Sequence, residues 1–331
     1  MNPSQFPELN SALSAVKQAA DVCRAVQATI DPESLEKKDK SPVTVADFAS
    51  QALICRQLQL DFPEDPVIGE EGADDLRLPE GSSFLKKILR ECRTAGVKCS
   101  AEEICDWIDR GSLQDYRSRF WTLDPIDGTK GFLRKEQYAV SLALLVDGRI
   151  VLGVLGCPQL PFYPGEPGGP RGVLAWAVAG KGSWMVPLDD SNSPPVKLTV
   201  TQTDQSSDAR FCESVESGHS SHDWSGKIAG TLGITREPFR IDSQCKYLAV
   251  ARGDADIYLR LPTRAGYEEK IWDHAGGVIL VHESGGCVTD IHGRPAEFNH
   301  GRTLSANEGM IVTNGRFHQQ VIDAVGEHTP A

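Results

Sequence analysis

The sequence predicts a mixed fold in which a helix-plus-antiparallel-sheet half is followed by an α/β half. Three observations carry that prediction. Apolar residues near the N-terminus recur at helical spacing, the texture turns to strands from about residue 120, and strands alternate with helices beyond about residue 195. In order, Leu9, Leu13, Val16, Ala20, Cys23, Val26 and Ile30 mark a long amphipathic helix. A second runs from about Val45 to Leu60, with Phe48, Ala52, Cys55 and Leu58 inward. Helical stretches near Ser83–Thr94 and Ala101–Asp109 follow an acidic loop, and the whole segment Asp74–Ser112 is expected to be a flap over the site. Strands are expected at Phe120–Leu123, Ala139–Val146, Ile150–Leu155, Val173–Ala179 and Ser183–Val186, with Asp147-Gly148 as a two-residue hairpin turn. Asp189–Pro195 reads as a linker. It divides the chain into an α+β domain, 1–188, and an α/β domain, 189–331. The second begins with a strand near Arg210, a helix from Asp223, a strand to Ile241, a helix from Ser243 and a strand over Asp256–Leu261. A helix from Trp272 and a last strand, Met310–Thr313, lead into a C-terminal helix.

With 331 residues, 40% hydrophobic and 24% charged, the chain has an ordinary globular composition. A net charge of -12 excludes a nucleic-acid polymer or anionic membrane as the natural partner, though not a small anion that brings its own cations. No apolar run approaches the roughly 20 residues of a membrane span, and Met1–Glu8 carries no signal-peptide pattern, so a cytoplasmic protein is expected. The 9 cysteines have no framework spacing and read as reduced thiols, Cys23, Cys55 and Cys245 in the core. A monomer is expected.

The most specific segment is Trp121-Thr-Leu-Asp-Pro-Ile-Asp-Gly-Thr-Lys-Gly-Phe132. An apolar strand is expected to end at Asp124, with Pro125 stopping the ladder and Asp127 within one turn. Two carboxylates around a tight turn, with the Ile126 carbonyl between them, suit hard cations, which take oxygen ligands. Gly128 and Thr129 can present backbone N–H groups to an anion. The alternative is an acidic turn that caps the following helix. Three further acidic sites reinforce the metal reading: Glu70 in Gly69-Glu-Glu-Gly72, Asp47 in Ser41-Pro-Val-Thr-Val-Ala-Asp47, and Asp273 in Ile271-Trp-Asp-His-Ala275. Each lies at an expected strand end or helix start.

This set resembles the lithium-sensitive, magnesium-dependent phosphomonoesterases typified by inositol monophosphatase, a likeness that runs through nearly the whole chain. The resemblance implies a layered αβαβα sandwich. It implies two or three Mg²⁺ ions held by Glu70, Asp124, the Ile126 carbonyl, Asp127 and Asp273, and inhibition by Li⁺. Asp47 with Glu70 would help to hold the third ion, and Asp47 with Thr129 would orient and deprotonate a metal-activated water. Phosphoryl transfer depends on such positioning and charge neutralisation more than on covalent chemistry.

The second half is similar to one branch, the 3′(2′),5′-bisphosphate nucleotidases, in Glu213-Ser-Val-Glu-Ser-Gly-His-Ser-Ser-His222, Asp242-Ser-Gln-Cys-Lys-Tyr247, Ile257-Tyr-Leu-Arg-Leu-Pro262 and Tyr267-Glu-Glu-Lys-Ile-Trp-Asp273. By that similarity His219, Ser243, Lys246 and Arg260 contact the nucleotide and its 5′-phosphate, and Gly128 and Thr129 the scissile one. The implied substrate is 3′-phosphoadenosine 5′-phosphate, with 3′-phosphoadenosine 5′-phosphosulfate second, which connects the chain to sulfur assimilation. An inositol polyphosphate 1-phosphatase is the alternative on the same metal site. A phosphatase with an aspartate nucleophile in an Asp-x-Asp-Gly-Thr motif fits less well, because two residues separate Asp124 from Asp127. A non-catalytic nucleotide sensor would not need Asp47 or Thr129. His219 and His222 lack the further ligands of a zinc site.

Overall fold

The computed structural model describes residues 6–29, 35–36, 42–166, 168–215, 222–262, 264 and 266–328. His219 therefore lies outside the described residues. The first half contains α1 (Pro7–Thr29), β1 (Leu35–Glu36), β2 (Pro42–Val43), α2 (Val45–Asp61), β3 (Val67–Gly69), α3 (Asp74–Arg77), α4 (Ser82–Thr94) and α5 (Ala101–Asp109). There follow β4 (Arg119–Asp127), α6 (Thr129–Leu133), β5 (Ala139–Val146), β6 (Arg149–Pro161), β7 (Arg171–Val178), β8 (Gly182–Pro187) and β9 (Val196–Lys197). The second half contains β10 (Phe211–Glu213), α7 (His222–Leu232), β11 (Phe239–Arg240), α8 (Cys245–Ala251) and β12 (Ile257–Arg260). A 3₁₀ turn (Ile271–Asp273), α9 (Ala275–Glu283), β13 (Cys287–Thr289), β14 (Met310–Thr313) and α10 (His318–His328) complete it.

Seven strands form one sheet in the order β3-β4-β5-β6-β7-β8-β9, antiparallel except for the parallel β3/β4 pair. Five form a second, in the order β11-β10-β12-β14-β13. The layers alternate as expected. α1 and α2 cover one face of the large sheet, α8 and α9 lie between the two sheets, and α7 and α10 cover the outer face of the small one. Burial on both faces explains why β5, Ala-Val-Ser-Leu-Ala-Leu-Leu-Val, is apolar at every position but Ser141 instead of alternating. Residue 188 separates most of the two sheets, but β9 lies beyond it and pairs with β8.

Three local expectations are corrected. Pro125 does not end its strand: β4 continues to Asp127, and its pairing with β5 shifts register between Asp124 and Asp127. That bulge displaces the two aspartates from simple alternation, and the Ser50 hydroxyl of α2 donates to the Pro125 carbonyl at 3.0 Å to hold it. The Asp74–Ser112 segment is no flap. Phe84, Ile88, Ile104 and Ile108 pack into the core beside α2, and none of the segment lines the cavity described below. The helix expected from Trp272 is a 3₁₀ turn followed by α9. All nine cysteines are free thiols, eight of them buried.

Candidate active site

The ends of β3, β4 and β12 meet the 3₁₀ turn around one cavity of about 1000 Å³. Glu70, Asp124, Asp127 and Asp273 line it, and so do Lys246 and Arg260, which lie close enough to act on the Asp127 charge. One carboxylate oxygen each from Asp124, Asp127 and Asp273 lies within 4.8 Å of the others. Residues far apart in the chain are thus brought to metal-ligand spacing, Asp124 by the β4 bulge and Asp273 by the turn.

Uncompensated, these carboxylates repel. Burial raises the Asp124 carboxyl well above the ordinary range, helped by the charges of Glu70, Asp127 and Asp273. Asp273 is raised in the same way, first by burial and then by Asp127. Asp127 is also raised by burial, against the opposing pull of Lys246, the Gln244 N–H and Arg260. Converging carboxylates, Asp124 buried and Asp127 and Asp273 half-buried, with oxygen donors alone fit hard divalent cations such as Mg²⁺. A second acidic grouping, Glu269, Asp273 and His274, fits a metal poorly. There the Arg260 guanidinium donates to Glu269 at 3.0 Å and already neutralises it.

The bulge is braced at each atom. The Ile126 N–H donates to Asp124 Oδ1 at 3.0 Å, and the Thr129 hydroxyl donates to the Ile126 carbonyl at 3.4 Å. Gly128 has φ +91°, and a Cβ there would lie 3.0 Å from the Ser243 Cβ, so only glycine fits without strain. Ser243 is itself left-handed, φ 66°, with its hydroxyl accepting from the Cys245 N–H at 3.2 Å.

Asp47 sits differently. It is the acid of a capping box on α2, where its Oδ2 accepts from the Thr44 N–H at 2.8 Å and the Thr44 hydroxyl at 2.6 Å. It is fully buried and does not line the cavity.

Of the cavity's cations, Lys246 is only 4% exposed and its ammonium lies 5.2 Å from the Tyr258 ring centroid. Burial lowers its pKa, with Asp127 opposing. Arg260 is held by Glu269, which in turn accepts from His274 Nε2 at 3.3 Å. The Tyr247 hydroxyl then donates to His274 Nδ1 at 2.6 Å. Burial disfavours the charged Glu269, yet His274 and Arg260 overcome it and hold the carboxyl down at about 2. The arginine is thus fixed in charge and direction before any ligand arrives.

Sequence reasoning missed Gln244, Glu269, Asp242 and Arg302. Gln244 lies inside a stretch already singled out, but no pattern marks its amide. Asp242 pairs with Arg134 and accepts from the Val215 N–H at 3.0 Å, fixing the approach to Ser243.

A profile described as the inositol monophosphatase family matches residues 7–329. The chain belongs to the inositol monophosphatase family. A protein of Schizosaccharomyces pombe named 3′(2′),5′-bisphosphate nucleotidase is 42% identical, over 97% of this chain and 96% of its own length. One of Oryza sativa with the same name is 43% identical, over 96% of this chain and 93% of its own. Among solved structures, the IMPase of Thermotoga maritima aligns with a TM-score of 0.66 at 21% identity, covering 97% of each chain. The inositol monophosphatase of Anabaena aligns at 0.63 and 21%, over 100% of this chain and 98% of that one. These structures establish the fold of this family member. No helix among the described residues is long and apolar enough to cross a membrane.

Proposed function

We propose that the protein is a Mg²⁺-dependent phosphatase that removes the 3′-phosphate of 3′-phosphoadenosine 5′-phosphate, giving AMP and inorganic phosphate. The observation that carries this reading is one cavity lined both by converging carboxylates and by two cations, the buried Lys246 and the Arg260 preset by Glu269. A monophosphate whose ester is hydrolysed at the converging carboxylates gives no use to Lys246 and Arg260. A bisphosphate does, because its second phosphate needs cationic donors of its own. The names of the fungal and plant relatives support the nucleotide as the bisphosphate. On the same reasoning, 3′-phosphoadenosine 5′-phosphosulfate is a second substrate.

In this reading Glu70, Asp124, Asp127, Asp273 and the Ile126 carbonyl would hold two or three cations. Bound there, the cations neutralise phosphate oxygens and lower the pKa of a water. The Thr129 hydroxyl orients that water, whose proton passes by way of Thr129 to the buried Asp47 carboxylate, and the Gly128 and Thr129 N–H groups take non-bridging oxygens. Ser243, Lys246 and Arg260, with His219, hold the 5′-phosphate. As the water oxygen bonds to phosphorus, the bond from phosphorus to the 3′ oxygen breaks and that oxygen gains a proton.

Phosphorus NMR of the products tests the reading. The expected signals are inorganic phosphate and the 5′-phosphate of AMP; a product retaining the 3′-phosphate would overturn it. Li⁺ in the millimolar range should inhibit by competing near Asp127 and Asp273, and an unchanged rate would remove that part.

A further inference from the structure

Arg302 has no place in the reaction described above, yet it touches both segments that carry metal-site acids from opposite ends of the chain. Its Nη2 donates to the Gly69 carbonyl at 2.6 Å, and Gly69 immediately precedes Glu70. Its Nη1 donates to the Leu113 carbonyl at 3.0 Å, with a longer contact to Gly111 at 3.4 Å. Gly111 in turn accepts from the Gly69 N–H at 2.8 Å, so the guanidinium completes a small backbone cluster under the β3 terminus.

The face of the same guanidinium lies 4.6 Å from the centroid of the Trp272 ring, and Trp272 immediately precedes Asp273. Its own backbone carbonyl accepts from the Ile271 N–H at 3.1 Å, at the start of the 3₁₀ turn. One residue thus fixes the turn through its main chain and through its side chain, while reaching across to β3. The neighbouring Gly301, at φ +83°, allows the approach: a Cβ there would lie 2.7 Å from the Gln114 carbonyl oxygen.

We infer that Arg302 is a positioning residue of the metal site: a clamp that ties the strand end preceding Glu70 to the turn bearing Asp273. The physical reason is that metal sites depend on the groups that orient their ligands, and substitution of such groups commonly weakens metal binding by roughly 10–100-fold. Arginine suits the task because its planar fork serves several carbonyls at once while its face stacks on an indole. Lysine carries the charge but cannot do both.

This inference rests on the metal reading above, and the test separates the two. Mg²⁺ binding to the wild-type protein, Arg302→Lys and Arg302→Met is measured by titration calorimetry, beside thermal melts in chelator and nucleotide KM at saturating Mg²⁺. The expected result is Mg²⁺ affinity about 10-fold or more weaker in Arg302→Met, and weaker also in Arg302→Lys, with the nucleotide KM unchanged because Lys246 and Arg260 are untouched. A purely structural arginine would lower the melting temperature in chelator and leave Mg²⁺ affinity as in wild type; that outcome overturns the inference. If Arg302→Met does not fold, Arg302→Lys decides it alone, wild-type affinity counting against the clamp. Absence of Mg²⁺ binding to the wild-type protein would overturn the metal reading itself.

Discussion

The backbone N–H of Gln244 donates to the Asp127 carboxylate, and the side-chain amide of the same residue donates to the Trp272 carbonyl at 2.9 Å. The Gln244 amide oxygen accepts from the Gly277 N–H at 3.1 Å and the Ser141 hydroxyl at 3.2 Å. Asp127 and the turn bearing Asp273 are therefore referred to one residue between the sheets. Gln244 thus braces the same turn that Arg302 touches, through the Trp272 carbonyl instead of the ring.

Rigidity imposed on like charges has a thermodynamic consequence. Asp124 is pushed toward its protonated form by burial and by Glu70, Asp127 and Asp273. A carboxyl raised in the folded state leaves the folded chain holding more protons than the unfolded one, so its destabilising effect is relieved as pH falls from neutrality toward about 4. Asp124→Asn should remove that repulsion while keeping the acceptor for the Ile126 N–H. The metal-free variant should melt about 2 °C or more above wild type, corresponding to roughly 1 kcal/mol, while Mg²⁺-dependent stabilisation and turnover disappear. A variant less stable than wild type in chelator would contradict the repulsion.

Lys246 and Arg260 are assigned to the phosphate that is not cleaved. Replacing Lys246 by Met should raise the KM for 3′-phosphoadenosine 5′-phosphate by about 10–100-fold, the value of a charge-assisted hydrogen bond of roughly 1.5–3 kcal/mol. Arg260→Met should do at least as much, because it also takes from the buried Glu269 carboxylate one of its two partners, leaving it His274. Neither change should affect hydrolysis of a simple aryl monophosphate, and equal losses on both substrates would move these residues to the scissile phosphate.

Asp47 offers a test of two roles in one side chain. As the capping-box acid of α2 it contributes on the order of 1 kcal/mol to that helix; as a proton acceptor it would govern turnover. Asp47→Asn should bind nucleotide with unchanged affinity and lose most of kcat. Near-normal kcat with a lowered melting temperature would leave it the cap alone.

A pH dependence unrelated to the active site is expected at the C-terminal helix. His318 bridges the Thr289 and Thr313 hydroxyls at 2.9 and 2.8 Å. Burial, with the neighbouring His282, lowers its pKa from 6.5 to about 4. The unfolded chain therefore takes up a proton below 6.5 that the folded chain refuses until about 4, so stability falls through that window as pH decreases. Denaturant melts of wild type and His318→Gln should converge as pH drops from 6.5 to 4; a constant difference would exclude the effect.

The sequence made the helices and the large sheet legible because their apolar periodicities are local, and β5 was bounded as the structure has it. The acids of the site were legible because each lies in a short, unusual motif. The β4 bulge was not, since Pro125 ordinarily breaks a ladder and is tolerated here at the register shift, with its carbonyl taken by Ser50 of α2. Gln244 and Arg302 were hidden for a different reason. Arg302 and Gly69 are 233 residues apart, and a side chain that recognises a main-chain carbonyl leaves no signature at the carbonyl's position.

The central claim is that Lys246 and Arg260 select a second phosphate on a nucleotide. The most direct measurement is kcat/KM with Mg²⁺ for 3′-phosphoadenosine 5′-phosphate beside inositol 1,4-bisphosphate and inositol 1-phosphate. A preference for the nucleotide over both inositol phosphates is the expected result. A preference for inositol 1,4-bisphosphate would keep the metal site but make the protein an inositol polyphosphate 1-phosphatase, contradicting the account of Lys246 and Arg260.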